Sequence, residues 1–425
     1  MSHDLFILKG TFIYSITKQE MEIIDGYLLS VNGVCQGIYK DITNEMDGVP
    51  IYDYTGKIII PGLVDLHLHA PQYTYRATGM DLELLDWLET YTFPEESKYL
   101  DLEYAKEAYS QFVNDLKNSL TTRACIFGTI HKDATLVLMD LLEETGLKTM
   151  VGKVNMDRNC SDDLREESEK SIEETILFIE QAKKQYKNTL PILTPRFIPT
   201  CSDELMEKLS EIKEKYQVPL QSHLSENPSE IEWVKQLRPT SKSYAFAYDD
   251  LGSFGSFGNT VMAHCVYLTQ EEQHLMKERN AFIAHCPESN LNLASGIAPI
   301  RKYLDQNIKA GLGTDVAGGT SIHLLKAMSL SIQASKMYWR LVDSTCPSLT
   351  LEEVFYMATK GGGEFFGKVG SFEKGYETDA LILQDDNLAT MKKMSPKERL
   401  ERLVYLGDQH NVVEKYVAGK RINMG

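Results

Sequence analysis

The sequence predicts an α/β fold, a (β/α)8 TIM-type barrel with a small composite β-domain formed by the N- and C-terminal segments. Three observations point there. Eight apolar runs of strand length alternate with polar, amphipathic stretches through the middle of the chain, the pattern of parallel βα units. Both ends are β-rich and punctuated by glycine. The 425 residues exceed one small domain, whereas a large α/β barrel counts as a single unit. The expected division is a barrel over 61–369 and a composite β-sandwich shared by 1–60 and 370–425.

Taken in order, the first expected strands are Leu5 to Tyr14, Met21 to Val31, Gly33 to Tyr39 and Lys57 to Ile60, rich in Ile, Val, Tyr and Thr. The barrel runs follow at Gly62 to Leu68, Thr122 to Ile130, Thr149 to Met156 and Pro191 to Ile198. The second four are Pro219 to Leu224, Thr260 to Val266, Ala281 to His285 and Ile308 to Gly313. Between them, Ala105, Ala108, Tyr109, Phe112, Val113 and Leu116 recur at helical spacing and form one stripe. Leu136 to Leu142 and Leu205 to Ile212 belong to two more helices. Strand texture returns at Asp379 to Leu383 and Glu414 to Arg421. A doubly wound sheet would carry a glycine-rich dinucleotide turn after its first strand, and none is there.

Composition narrows the function. Apolar residues make up 43% and charged residues 25%, ordinary for a chain with a sizeable core. Lys plus Arg is 44 against 61 for Asp plus Glu, a net charge of −17. An acidic chain repels phosphate backbones, so nucleic acid is not an expected partner. Seven cysteines are scattered with no C-x-x-C pair, which speaks against a disulfide scaffold and a cysteine zinc site. The first ten residues carry no basic, apolar leader, and no run reaches the roughly 18 apolar residues of a membrane span. A cytoplasmic protein with no membrane partner is the expectation.

The chemistry gathers at strand ends. His67 and His69 close the first run, and strand alternation puts both on one face. His223 ends the fifth run, His264 lies towards the end of the sixth, and Asp315 follows the eighth. In a barrel the C-terminal strand ends converge on one mouth, where active sites sit. Four imidazoles and a carboxylate there suit zinc or iron. A lone histidine at a strand end is more often structural, but a set in register on strands one, five, six and eight is not a chance pattern.

Glu226, three residues past His223, is placed to face the same mouth. A carboxylate is too weak a base to deprotonate bulk water, whereas zinc lowers bound water to about 7. The metal would therefore make the nucleophile and Glu226 would move the proton. Arg196 offers only donors, and Gln72 both donors and an acceptor, which suits them to reading a polar substrate edge. Phe197, Trp87 and Leu85 are candidates for an apolar wall. His131 and His285 end strands two and seven, as polar contacts or as structural caps. Lys153 is read as structural or as a support near the site.

The chain resembles the amidohydrolase superfamily, in its guanine-deaminating branch. The resemblance rests on Pro61-Gly62-Leu63-Val64-Asp65-Leu66-His67-Leu68-His69 and Thr314-Asp315. More specific are His69-Ala70-Pro71-Gln72-Tyr73, Tyr91-Thr92-Phe93-Pro94, Thr194-Pro195-Arg196-Phe197 and Ser222-His223-Leu224-Ser225-Glu226-Asn227. His285-Cys286-Pro287-Glu288-Ser289-Asn290-Leu291 and Gly313-Thr314-Asp315-Val316-Ala317-Gly318-Gly319 complete the set, which spans essentially the whole chain.

That resemblance implies one Zn2+ per chain on His67, His69, His223 and Asp315, with Fe2+ as the other admissible ion and His264 in or beside the ligand set. Two-metal members carry a modified lysine at the end of strand four, where this chain has Arg196, so one metal is implied. The implied reaction is hydrolytic deamination of guanine to xanthine and ammonia by metal-activated water. Glu226, Asp315 and His264 would be catalytic. The base would meet His69, Gln72, Arg196, Phe197, His223, Glu226 and Asp315. A small purine base is the implied partner and a homodimer the implied assembly. The alternatives are the same chemistry on another aminated or halogenated heterocycle, or a non-catalytic binding relative.

Overall fold

A computed structural model describes residues 5–255 and 259–424. The outermost ends of the expected composite β unit, residues 1–4 and 425, lie outside the described residues. Eight parallel strands form one sheet. Strands one to four are Leu63–His69, Thr121–Phe127, Lys148–Gly152 and Thr189–Pro191. Strands five to eight are Leu220–Leu224, Thr260–His264, Phe282–His285 and Lys309–Leu312. In space they run five, six, seven, eight, one, two, three, four. Just after strand four, the Leu193 N–H donates to the Pro219 carbonyl and Gln221 donates to the Leu193 carbonyl, both at 2.9 Å. These bonds bring the two ends of the sheet together, as in a TIM-type barrel.

All eight expected runs contribute strands, but the third and fourth are broken in two. Beyond the barrel sheet, Val154–Asn155 pairs with Thr194–Pro195 in a separate two-stranded ribbon. At Gly152 a Cβ would stand 1.7 Å from the Thr194 hydroxyl, so the two chains cross closely there. Pro191 and Pro195 also lack the N–H that a continuous ladder needs.

The helical stripe is seated as its spacing requires. Helix Leu102–Asn118 buries Ala105, Ala108, Tyr109, Phe112, Val113 and Leu116, and the Asp101 side chain caps it by accepting from Glu103 and Tyr104. Full burial is worth about 1.5–3 kcal/mol for each large apolar side chain. Helix Lys132–Thr145 packs beside it. No described helix is long and apolar enough to cross a membrane.

Seven strands from both ends make a second sheet. Its order is Lys420–Ile422, Val412–Val417, Ala380–Leu383, Ile51–Pro61, Leu5–Ser15, Met21–Val31 and Val34–Tyr39. Hydrogen bonding joins these strands in one continuous sheet. Ile51–Pro61 is the link, parallel to Leu5–Ser15 on one side and antiparallel to Ala380–Leu383 on the other. That strand extends further than Lys57 to Ile60, through a largely exposed first half that Asp53, Thr55 and Gly56 separate from the buried apolar run. The expected strand Glu414 to Arg421 is a hairpin that turns at Ala418 and Gly419, both with positive φ.

Arg123 on strand two ties the sheets together. Its Nε and Nη2 donate to the two oxygens of Asp379 at 2.7 and 3.0 Å, and Nη2 also donates to Glu377 at 2.8 Å. Asp379 accepts the Ala418 N–H as well, at 2.7 Å. Removing one partner of a buried pair costs about 3–5 kcal/mol because a bare charge stays behind. We expect Arg123→Met to lower the urea-unfolding free energy by about that amount. A loss under about 1 kcal/mol would mean that the pair does not hold the sheets together.

Candidate active site

Strands one and eight are locked to each other first. Asp65, wholly buried, accepts from the Thr314 hydroxyl at 2.6 Å, the Thr314 N–H at 3.1 Å and the His67 N–H at 3.2 Å. The Asp315 N–H donates to the His67 carbonyl at 2.8 Å. Gly313 permits this approach, since a Cβ there would lie 2.9 Å from both the His67 Cβ and the Cys286 Sγ. Burial pushes the Asp65 carboxyl up to about 7, with the Thr314 bonds opposing. His264 and Asp315 take positive φ, 70° and 47°. That left-handed backbone carries strain of order 1–3 kcal/mol for a residue with a Cβ.

The imidazoles converge as expected. His67 Nε2 is 3.1 Å and His69 Nε2 3.4 Å from Asp315 Oδ1. His223 Nε2 lies 3.2 Å from His69 Nε2, and His223 Nδ1 donates to the Arg196 carbonyl at 2.7 Å. That bond puts the proton on Nδ1 and leaves the Nε2 lone pair for the cluster. His264 Nε2 is 3.3 Å from Glu226 Oε2 and 3.7 Å from Asp315 Oδ2, while its Nδ1 bonds Asn290 Oδ1 at 2.9 Å.

Burial sets the charges. Desolvation lowers His69 to about 4, lowers His67, and takes His223 well below its usual range, so these imidazoles offer neutral lone pairs. Burial works against ionised Asp315, yet His67, His69 and His264 hold it well below the ordinary carboxylate range. Glu226 behaves oppositely: burial and then the Asp315 charge push it up to about 8, opposed by the Ser295 hydroxyl donating to Oε1 at 3.0 Å. Glu226 does not cap the helix that follows it. Asn227 caps Pro228–Leu237, and Glu230 accepts from the backbone N–H groups of Glu226 and Asn227.

The donor set fits a metal ion. Nε2 of both His67 and His264 is buried without a well-aligned hydrogen-bond partner. Two triads, His67–His223–His264 and His67–His69–Asp315, each keep their ligand atoms within 4.8 Å of one another. A tetrahedral ion with bonds of about 2.0–2.1 Å sets its ligands about 3.3 Å apart. The His67–Asp315, His69–His223 and His69–Asp315 separations are 3.1, 3.2 and 3.4 Å.

A cavity opens onto this cluster. Gln72, Arg196, Phe197 and Glu226 line it with His69, His223, His264 and Asp315, and Leu84, Trp87, Leu88 and Leu293 supply apolar wall. Leu85 is not in that wall. Leu84, Trp87 and Leu88 share one helical face at i, i+3 and i+4, and Leu85 falls off it. His131 lines a separate surface hollow with Lys132 and Glu166, because strand two ends four residues before it. His285 is buried but outside the cavity lining. Lys153 is a buried structural partner of Glu166 at 2.5 Å.

Sequence reasoning misses Glu96. Its Oε2 accepts from Arg196 Nη1 at 2.5 Å and its Oε1 from Gln72 Nε2 at 2.9 Å. The signal was slight: Glu96 stands two residues past the Tyr91–Pro94 motif, in an acidic stretch that reads as a solvated helix start. Phe127 is missed too, although its ring lies 4.6–5.0 Å from those of His67, His69 and His223. Asn290 sits inside a motif already noted, and nothing local marks Ser295.

A barrel with buried histidines and an aspartate at its strand ends defines a metal-hydrolase architecture, and the amidohydrolase family pattern matches residues 58–422. The chain belongs to the amidohydrolase family. Its relatives within the family include guanine deaminases. That of Dictyostelium discoideum is 38% identical over 98% of both chains, and that of Escherichia coli 33% identical over 99% of this chain and 98% of its own. The crystal structure of guanine deaminase from C. acetobutylicum, with guanine bound in its active site, superposes with a TM-score of 0.96 at 45% identity, covering 99% of this chain and 100% of that one. Atrazine chlorohydrolase from Arthrobacter aurescens, at 20% identity and a TM-score of 0.85, shares the fold.

The strand-one to strand-eight lock generates a stability prediction. Asp65→Ala strips three buried donors of their acceptor, each worth about 1–3 kcal/mol. We expect a loss of at least about 3 kcal/mol in unfolding free energy, against about 1 kcal/mol for Thr314→Val, which removes one hydroxyl. Equal losses would show that Asp65 is not the organising group.

Proposed function

We infer that this protein hydrolyses guanine to xanthine and ammonia, with one metal ion held by His67, His69, His223 and Asp315. One observation carries the reading. That donor set opens onto a cavity shared with Glu226, Arg196 and Gln72, in a chain 45% identical to a guanine deaminase with guanine bound. The ion is read as Zn2+, with Fe2+ as the other ion that imidazole and carboxylate accept. When bound, it lowers the pKa of a water molecule to about 7.

The side chains do the rest. Glu226 takes a proton from the attacking water and passes it to N3, the imine nitrogen beside C2. Once the water oxygen is bonded to C2, Glu226 takes the second proton from that new hydroxyl and delivers it to the exocyclic amine, which leaves as ammonia when the C2–N bond breaks, so that guanine and water become xanthine and ammonia. Ser295 fixes Oε1 of Glu226, which leaves Oε2 on the His264 side. Asp315 accepts a hydrogen bond from the same water and orients it. His264, held by Asn290, faces both carboxylates and steadies them. Arg196 donates to the O6 carbonyl, Gln72 addresses the neighbouring edge, and Phe197 and Trp87 border the ring. Adenine would set an amino donor against the Arg196 donors, which a desolvated site rejects strongly. The reading takes 61–369 as the catalytic barrel and 1–60 with 370–425 as its composite β unit. It takes the protein as a cytoplasmic homodimer whose partner is a purine base.

Ammonia release tests the activity. Across guanine, adenine, cytosine and isoguanine, guanine is expected to be turned over fastest by orders of magnitude, and comparable release from adenine would overturn the assignment. Glu226→Gln keeps shape but cannot carry the proton. Its kcat should fall by at least about 10²–10⁴-fold, with metal content and KM nearly unchanged. Retention of most turnover would mean that another group moves the proton.

A further inference from the structure

We propose that Glu96 is a positioning residue that sets the preference for an oxo-purine by holding the Arg196 guanidinium and the Gln72 amide in one fixed arrangement. The proposal rests on the reading of the cavity as a guanine site. Glu96 is 2% exposed and comes from the short helix Phe93–Ser97, outside the eight strands. It is not among the residues lining the cavity, whereas both of its partners are. Any effect on the base must therefore pass through them.

The two carboxylate oxygens serve two different donors. Oε2 takes Arg196 Nη1 at 2.5 Å and Oε1 takes Gln72 Nε2 at 2.9 Å. An amide in the same place has one acceptor and one donor, so it satisfies one partner and opposes the other. On the Gln72 side, Oε1 accepts the Ala317 N–H at 3.3 Å. With Nε2 committed to Glu96, the amide cannot flip, and its order of donor and acceptor towards the cavity is fixed. On the Arg196 side, the Phe93 ring lies 5.3 Å from the guanidinium and adds a second restraint. The remaining guanidinium N–H groups have no protein acceptor among the described residues, which leaves them for a carbonyl oxygen in the cavity. Opposite charges on Glu96 and Arg196 also cancel, as suits a neutral base. A guanidinium held this firmly cannot turn aside to accommodate a ligand that lacks the oxygen.

The test compares the KM of guanine with the competitive inhibition constant of 2-aminopurine, which lacks the 6-oxygen. The proteins are metal-loaded wild type, Glu96→Gln, Arg196→Met, the double variant Glu96→Met/Arg196→Met and, as its control, Gln72→Ala in the Arg196→Met background. We expect Glu96→Gln to raise the guanine KM at least about tenfold. Metal content, kcat and 2-aminopurine binding should change little. The double variant should lose preference beyond Arg196→Met by no more than Gln72→Ala does in the Arg196→Met background, since Glu96 acts only through those two groups. The double variant also serves if Glu96→Gln fails to fold, because it leaves no buried charge unpaired. Equal weakening of both ligands by Glu96→Gln, or a loss of preference in the double variant larger than Gln72→Ala produces in the same Arg196→Met background, would overturn the proposal. If Arg196→Met alone leaves the preference unchanged, the reading of Arg196 falls and this inference with it. If Arg196→Met acts and a folded Glu96→Gln does not, only the role of Glu96 falls.

Discussion

Asp315 sits buried and ionised within 3.1–3.7 Å of three imidazoles, and the rest of the site depends on that placement. A carboxylate taken out of water tends to pick up a proton, and burial pushes Asp315 that way. The neighbouring imidazoles hold it ionised nonetheless, while their own burial disfavours their charged forms. Such a group settles its conflict best around a cation, which meets an anion and neutral lone pairs at once. The surroundings keep the ligands from relaxing into another solution. Asp65 clamps the strand ends, the Arg196 carbonyl fixes the His223 tautomer, and Asn290 holds His264.

The barrel makes this possible by bringing side chains distant in sequence to one rim. Arg196 joins the two halves of the site. Its carbonyl orients the imidazole of His223, and its guanidinium reaches Glu96 and lines the cavity. The metal side and the recognition side therefore share one backbone position. A shift of that residue would disturb the His223 imidazole and the cavity wall together.

Much of this was legible from residue order. The stripe from Ala105 to Leu116 is buried as its spacing demanded. The histidines and Asp315 could be grouped because strand alternation and strand ends are local features. What stayed hidden depends on contacts between distant residues. Glu96 looks like a surface acid until Arg196, 100 residues away, is folded against it. Ser295 meets Glu226 across a gap of 69 residues. The single seven-stranded sheet follows from pairing Ile51–Pro61 with Ala380–Leu383, a register that no short window contains. Leu85 was displaced by Leu84 and Leu88 because a short helix fixes its buried face only after packing.

Guanine turnover through one metal ion on His67, His69, His223 and Asp315 can be measured directly. The direct measurement is a titration in which chelated, metal-free protein receives graded Zn2+, with bound metal and ammonia release read on the same samples. His67→Ala and His223→Ala serve as controls that should bind none. Turnover should rise in proportion to occupancy and saturate at one ion per chain. Full turnover without metal, or saturation only at two ions per chain, would contradict it.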